Sequence, residues 1–469
     1  MSLLLFFLLA VIIYIVLLYF LSRDLPTEIL DVPLNEDETT LSFGKDFSFG
    51  TSTSAWQIEK EVGKSNWSVG ETIERNGKKL IPPHGEEVCD AFNHFDEDLR
   101  LMSSMRMKKY RFSVSWSAIE REKGKYDEGY LQNYVTMCEK LRMNNIEPMV
   151  TLLHFEHPEW VEKEGGVFAE NFLEYFTNFT NFVVNGLKDS CKYFFTINEP
   201  FVFACNCYLT GIWMPGHKNI MELFKCVGIL MEAHARAYHI IHEIIPDAKV
   251  SFPDNIVPFY PKSKYNLLEV LIAKIANLYN IPILECVNTG ILKFGLFGIN
   301  LYSKKIDGLK NSYDFISVNH YFCGWASLLP KDWDKNIFPS PLSGRLDKYQ
   351  SSDFKWPIIP SSLATSLLWI HKKYNPRNVE MVVSEHGIAD HTDEKRPRYL
   401  LDSLSYLKYI KDKCNIPVTA YLHWSLLDNY EWAEGYRMKF GLIEVDFDTQ
   451  ERKEKISADL YRKIACHSY

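Results

Sequence analysis

The chain of 469 residues lacks several things that would settle its function class at once. It has no run of lysines and arginines, and its formal net charge is −8, from 52 basic and 60 acidic residues. Without a basic stripe there is nothing to neutralise phosphates, which argues against a nucleic-acid partner. Its ten cysteines form no disulfide framework. Cys89, Cys138, Cys191, Cys226, Cys286, Cys323, Cys414 and Cys466 are scattered, mostly in apolar segments, and only Cys205 and Cys207 lie close together. A chain this long buries enough core without staples, so free buried thiols are expected. Cys205-Asn-Cys207 has neither Cys-x-x-Cys spacing nor a second pair, so no zinc site is expected. A Gly-rich phosphate loop, a serine triad and a cluster of metal ligands are also missing, and neither a cofactor nor a metal is implied.

Long hydrophobic runs are scarce too, with one exception. Residues 2–22 carry no charge, and at about 1.5 Å per residue they would span about 30 Å as a helix, the thickness of a bilayer core. A signal peptide is the rival. It would need a basic leader, a shorter apolar run and a small-x-small cleavage site, none of which is present. The expectation is therefore a transmembrane anchor over residues 1–23, with the membrane as partner through 2–22. Its orientation is open, because the acidic residues after Arg23 count little in the positive-inside rule. Residues 24–42 are acidic and proline-punctuated and predict a linker of no fixed structure. The sequons at Asn66 and Asn178 matter only if the domain is lumenal.

From residue 43 to 469 the pattern is that of one folded domain, 46% hydrophobic residues over the whole chain and 14% aromatic. Eight short apolar runs recur: 47–54, 109–116, 146–154, 193–198, 249–254, 314–320, 380–385 and 418–424. Helical stretches are predicted at 92–106, 130–144, 168–189, 219–244 and 398–413. This alternation predicts a single (β/α)8 barrel of the α/β class with elaborated loops. The loops at 260–312 and 325–360 read as irregular.

In such a barrel the carboxyl ends of the strands converge on one mouth. Those ends deliver Gln57 and Glu59, Arg111 and Trp116, His154 and Phe155, Asn198 and Glu199, Asn319 and Tyr321, Glu385, and Trp424 followed by Asp428, Asn429, Glu431 and Trp432. Two glutamates on two strand ends suit a reaction needing an acid and a base on opposite sides of a bond. Side chains that both donate and accept suit vicinal hydroxyls, and flat indoles suit the C–H face of a pyranose. The ring predicts a sugar ligand.

Five separated motifs carry a family resemblance: the run from Phe47 to Glu59, Arg111-Phe-Ser-Val-Ser-Trp-Ser117, Thr196-Ile-Asn-Glu-Pro200, Ser384-Glu-His-Gly387, and Trp424 to Trp432. Over about residues 43–460 the chain resembles glycoside hydrolase family one, the β-glucosidase and β-galactosidase family. A ninth-strand-like tail at 436–442 follows. The resemblance implies retaining hydrolysis, with Glu199 as general acid/base and Glu385 as nucleophile at about 5 Å from it. It further implies that Tyr321 steadies Glu385 and that Arg111 is its cationic neighbour. Gln57, His154, Asn198, Glu431 and Trp432 would grip the glycone, and Trp424 would serve as platform.

Four positions depart from the family pattern: Lys60, Ala118, Phe155 and His386. None removes a catalytic carboxylate, so altered substrate preference is expected. The segment 209–216, the run 384–393 and the anchor are similar to the branch holding the plant membrane-bound galactolipid galactosyltransferase. Two alternatives to hydrolysis therefore stand: a membrane-bound transglycosylase acting on lipid-linked β-glycosides, and a non-catalytic glycan-binding protein. The choice between glucoside and galactoside is open.

Overall fold

The computed structural model describes residues 3–26, 29–32, 34, 37, 39–68, 73–75, 78–80, 88–296, 298–329 and 349–468. Eight barrel positions are filled in chain order by β1 (Ser48–Ser52), β2 (Lys109–Ser113), β3 (Glu147–Leu153), β4 (Tyr193–Ile197), β5, β6 (Ile316–His320), β7 (Met381–His386) and β8 (Val418–Trp424). β5 comes in two pieces, Lys249–Ser251 and Pro253–Asn255. Pro253 supplies no N–H, and the strand changes partner there. Its first piece pairs with β4 and its second with β6, all pairings being parallel, and this closes the ring. The expected (β/α)8 barrel is present.

The larger helices are α1 (Leu3–Ser22), α2 (Ala91–Ser104), α3 (Glu128–Met143), α4 (Phe172–Leu187), α5 (Pro200–Tyr208), α6 (Ile220–Ile244), α7 (Leu267–Ala276), α8 (Ile281–Thr289), α9 (Ser361–Tyr374), α10 (Arg396–Lys413) and α11 (Ile456–Ser468). Their starts follow local chemistry. Asp127, Asn219 and Asn266 accept backbone N–H groups at the heads of α3, α6 and α7, and Pro200 opens α5 where a missing N–H costs nothing. Inside the barrel, Met149, Phe195, Phe315, Val382, Ala420 and Leu422 form a sealed apolar plug. Phe195 lies under the Arg111 guanidinium, 4.9 Å from ring centre to Cζ, so the plug supports the floor of the site.

The structure differs from expectation in four places. Among the described residues no single helix is long and apolar enough to cross a membrane, so a spanning helix over 1–23 is not supported; Phe6–Ser22 is a shorter apolar helix. The described residues of the 24–42 segment are laid on the barrel: Leu25 and Leu41 are buried, and Leu30 N donates to Thr365 Oγ1 at 2.9 Å. Its leucines outweigh its charges. The loop at 260–312 is not irregular, since it holds α7, α8 and an antiparallel hairpin, Ile291–Leu296 with Ile299–Lys305. Much of 325–360 lies outside the described residues. Residues 436–442 form no strand: a 3-10 turn ends at Arg437, and the next strand is Ile443–Val445.

Candidate active site

Glu199 ends β4 and heads α5 with φ of 41°, in the left-handed region. A bulky residue there is strained, and Pro200 holds it by fixing the next φ. Its N–H donates to Pro253 O at 2.8 Å, which ties the end of β4 to β5. Glu385 lies in β7, one residue before its end, and is paired in register with Asn319 of β6. Gly387 follows because a Cβ there would sit 2.1 Å from Trp424 O, so only glycine lets the chain turn against β8. Both glutamates are nearly fully buried.

Their surroundings differ. Glu385 receives a salt bridge from Arg111 Nη1 and the Tyr321 hydroxyl at 2.5 Å on its other oxygen. Arg111 Nη2 donates to Asn198 Oδ1 at 2.7 Å, and its Nε donates to Thr151 Oγ1 at 3.0 Å. The guanidinium is thus fixed on two sides. Among the described residues Glu199 has no cation beside it; Asn319 Nδ2 donates to its Oε1 at 2.6 Å, and Asn255 also hydrogen-bonds to it. Burial pushes the Glu199 carboxyl well above the ordinary range, and the Glu385 charge pushes it further. Burial also raises Glu385, but Arg111, Tyr321 and Asn319 hold it back. Asn319 therefore contacts both. One negative charge is shared unequally across this pair: it resides on Glu385, beside the guanidinium, and the proton resides on Glu199.

The predicted grip converges on the same floor. Asn198 Nδ2 lies 3.1 Å from His154 Nε2. Burial and the Arg111 charge keep His154 neutral. Its ring lies 5.8 Å from Trp432, nearly parallel, and 5.9 Å from Trp424. Gln57 is aimed by Ser54 Oγ at 2.6 Å, and its Nε2 donates to Tyr430 O at 2.7 Å and Asn429 Oδ1 at 3.0 Å, with Glu431 Oε2 at 3.4 Å. Glu431 is pushed up to about 8, mainly by burial and then by the Glu385 charge, while Gln57 and Trp424 donate to it. All ten predicted residues (Gln57, Arg111, His154, Asn198, Glu199, Tyr321, Glu385, Trp424, Glu431 and Trp432) thus belong to one hydrogen-bonded and stacked set.

The departures sort by position. Phe155 has φ of 64° and packs in an aromatic wall with Trp213 at 4.9 Å and Trp432 at 5.2 Å. Trp67 Nε1 donates to Phe155 O at 2.9 Å. His386 points away from the mouth, bonded to Tyr421 OH at 2.8 Å and Tyr399 OH at 2.7 Å. Ala118 is fully buried, and Lys60 is exposed.

Sequence reasoning missed three groups. Asn319 was seen at its strand end, but its link to both glutamates depends on register. Asp254, at the end of β5, is buried with neither oxygen in a well-aligned hydrogen bond, the Asn255 N–H lying beside it. Burial raises its pKa well above the usual carboxylate range. Phe440, from the 436–442 tail, packs with Tyr321 and Trp424. The Pro-Asp-Asn run at 253–255 was the available signal for Asp254. For Phe440 it was the 436–442 tail, which read as a strand and not as part of the site.

The family model for glycosyl hydrolase family 1 matches residues 39–468. β-Glucosidase A of Acetivibrio thermocellus is 30% identical over 455 residues, covering 90% of this chain and 98% of that protein. Among solved structures, the family 1 β-glucosidase of Thermotoga maritima superposes with a TM-score of 0.80 at 26% identity, covering 91% of this chain and 98% of that one. A β-glycosidase of Pyrococcus horikoshii gives 0.77 at 30% identity, covering 91% and 95%. With the carboxyl pair, its cation and its grip in place, this chain belongs to glycosyl hydrolase family 1.

Proposed function

We propose that the protein is a retaining β-glucosidase that works through a covalent glycosyl-enzyme intermediate. The observation that carries this is the unequal pair: Glu385 is held as a carboxylate by Arg111 and Tyr321, while neighbouring Glu199 has no cation and keeps its proton. A β-glycoside seated by Gln57, His154 and Glu431 presents its anomeric carbon to Glu385. The Glu385 oxygen attacks that carbon as the bond to the leaving oxygen breaks, and Glu199 gives its proton to that oxygen. Once Glu385 is an ester its charge is gone, so Glu199 loses the repulsion that raised it and becomes the base. It takes a proton from water, which attacks the anomeric carbon, displaces Glu385 and restores both groups. Asn198, fixed by Arg111 and His154, is placed to hold the 2-hydroxyl during both steps. The similar proteins named as β-glucosidases support glucose as the glycone.

The test is turnover of aryl β-glucosides and β-galactosides by the intact chain beside Glu385→Gln. Release of sugar that the variant abolishes supports the proposal; equal turnover by both would sink it.

One observation favours a second reading, that the enzyme works at a membrane and that a lipid acceptor can replace water. The helix Leu3–Ser22 is uncharged, and its described apolar side chains from Phe6 to Phe20, Leu18 excepted, are exposed. Such a surface is stable in lipid and not in water. We take the enzyme to be membrane-associated through α1, the side of the membrane being open. Flotation of the full chain with phospholipid vesicles tests this; a chain that stays at the bottom of the gradient contradicts it.

A further inference from the structure

We propose that the rim of the barrel mouth built by α7 enters the near leaflet of the bilayer beside α1, so that the mouth receives amphiphilic β-glycosides from the membrane. This rests on the membrane reading of α1 given above. The rim belongs to the mouth by topology. α7 follows the strand Phe259–Pro261, beyond the carboxyl end of β5, and that strand pairs with Gly324–Ala326, beyond the carboxyl end of β6. Tyr279, just past α7, is buried close enough to couple to Glu199, and its ring lies 4.8 Å from Phe201 at the start of α5.

α1 is docked on this rim. Leu18, Leu21 and Leu25 pack with Val270 and Ala273 of α7. The Tyr14 hydroxyl donates to Tyr265 O at one end of the seam, and Lys274 Nζ donates to Phe20 O at 3.3 Å at the other. The two helices therefore run side by side from Tyr14 to Asp24. Among the described residues the seam begins at Tyr14, which leaves Leu3–Ile13 ahead of it, about 16 Å at 1.5 Å per residue and roughly half of a bilayer core. The apolar length of α1 can be covered by lipid only if the rim alongside is drawn in with it.

The rim is suited to that. Tyr265 is 70% exposed and Leu268 56%, and Ile275, Leu328 and Leu329 are exposed as well. The charges along the seam are already matched: Lys274 also reaches Asp24, which pairs with Arg23 at 3.2 Å. Lys264 lies over the Tyr265 ring at 5.4 Å, on a stem long enough to carry its ammonium to the headgroups. A leaflet fits this patch better than a second copy of the chain, because the patch is continuous with the uncharged helix that lipid must cover.

The experiment uses the full chain with phosphatidylcholine vesicles containing a β-glucosyl lipid. It compares the native protein, the double variant Leu268→Asp/Leu329→Asp, and Met143→Asp as a control at an exposed apolar residue on α3. The native chain is expected to float and to turn over the lipid. The double variant is expected to float through α1 and to hydrolyse a soluble aryl β-glucoside within about twofold, while lipid turnover falls by about tenfold or more. The control is expected to change neither. Equal lipid turnover by native and double variant overturns the proposal, as does no lipid turnover by the native chain. Loss of a dimer by the double variant in sedimentation would assign the patch to a second copy instead. A native chain that fails to float contradicts the membrane reading itself, and is distinguishable because it needs no variant.

Discussion

The floor of the barrel mouth lies on the strand ends and the rim beside α7 lies beyond them, and the two are built on opposite principles. On the floor every charge has a fixed partner. Arg111 alone bonds to Glu385, Asn198 and Thr151, and the apolar plug beneath excludes water, so each interaction acts in a low dielectric. At the rim, leucines and a tyrosine face outward with few polar partners. The floor is preorganised for charge that develops during reaction, and the rim, in the proposal above, is the part that lipid covers. The comparison teaches that chemistry and substrate access are separable here: a change on the floor should act on every substrate alike, and a change at the rim should act only on lipid-borne ones.

The largest effect that would break this division is at the floor. Glu385→Gln is expected to lower turnover of all β-glycosides by about 10⁴-fold or more, since no covalent intermediate can form. Initial rates on aryl glucosides check it. Next come the two groups that hold Glu385. Arg111→Met and Tyr321→Phe are each expected to cut kcat by about 10²-fold, the scale of losing one preorganised donor. Arg111→Met should be the more severe, because it strands the carboxylate without its cation; steady-state kinetics at fixed pH decides the order.

A pH measurement sharpens the contrast between the glutamates themselves. Burial and the Glu385 charge raise Glu199, so it should titrate well above the ordinary carboxylate range in the free enzyme. Trapping Glu385 as a 2-deoxy-2-fluoroglucosyl ester removes one of those two causes, so Glu199 should then titrate lower. Carbon NMR of labelled glutamate follows both states. An unchanged or higher pKa would contradict the assigned cause.

The smallest effect concerns stability. Glu59 is buried, accepts from Tyr130 OH at 2.8 Å and Tyr134 OH at 2.8 Å, and is pushed up to about 8 by burial. Its pKa is higher folded than unfolded, so between its unfolded value of 4.5 and about 8 the folded state binds more protons. Stability from this group is therefore present at low pH and declines as pH rises through that window. Glu431, raised to about 8, acts in the same direction. Glu59→Gln should flatten the fall of Tm with pH; an unaltered slope would mean that Glu59 is not the source.

Most of the floor was legible in the sequence because it lies on strand ends, where an apolar run gives way to a polar residue. Glu199, Glu385, His154 and Trp424 all mark such junctions. The legible part ended where position depends on register or tertiary contact. Asn319 links both glutamates only because β6 is offset against β7 by a bulge between Val318 and Asn319. β5 was seen as a run, but its break at Pro253 concealed that Asp254 and Asn255 come up beside Glu199. The rim was opaque for a different reason: the stretch holding α7 read as irregular loop, and nothing local says that Leu268 faces out. The 24–42 segment misled through its charge, since Leu25, Leu30 and Leu41 hold its described residues on the barrel.

The central claim is that Glu385 is the nucleophile and Glu199 the acid/base, and azide rescue tests it most directly. Glu385→Gly and Glu199→Gly would each be given an aryl β-glucoside with a good leaving group and sodium azide, and the products read by proton NMR. The account predicts α-glucosyl azide from the first, because azide takes the place of the lost nucleophile on the opposite face. It predicts β-glucosyl azide from the second, because azide resolves an intact intermediate. The reversed pair of anomers, or rescue of neither variant in folded protein, would contradict it.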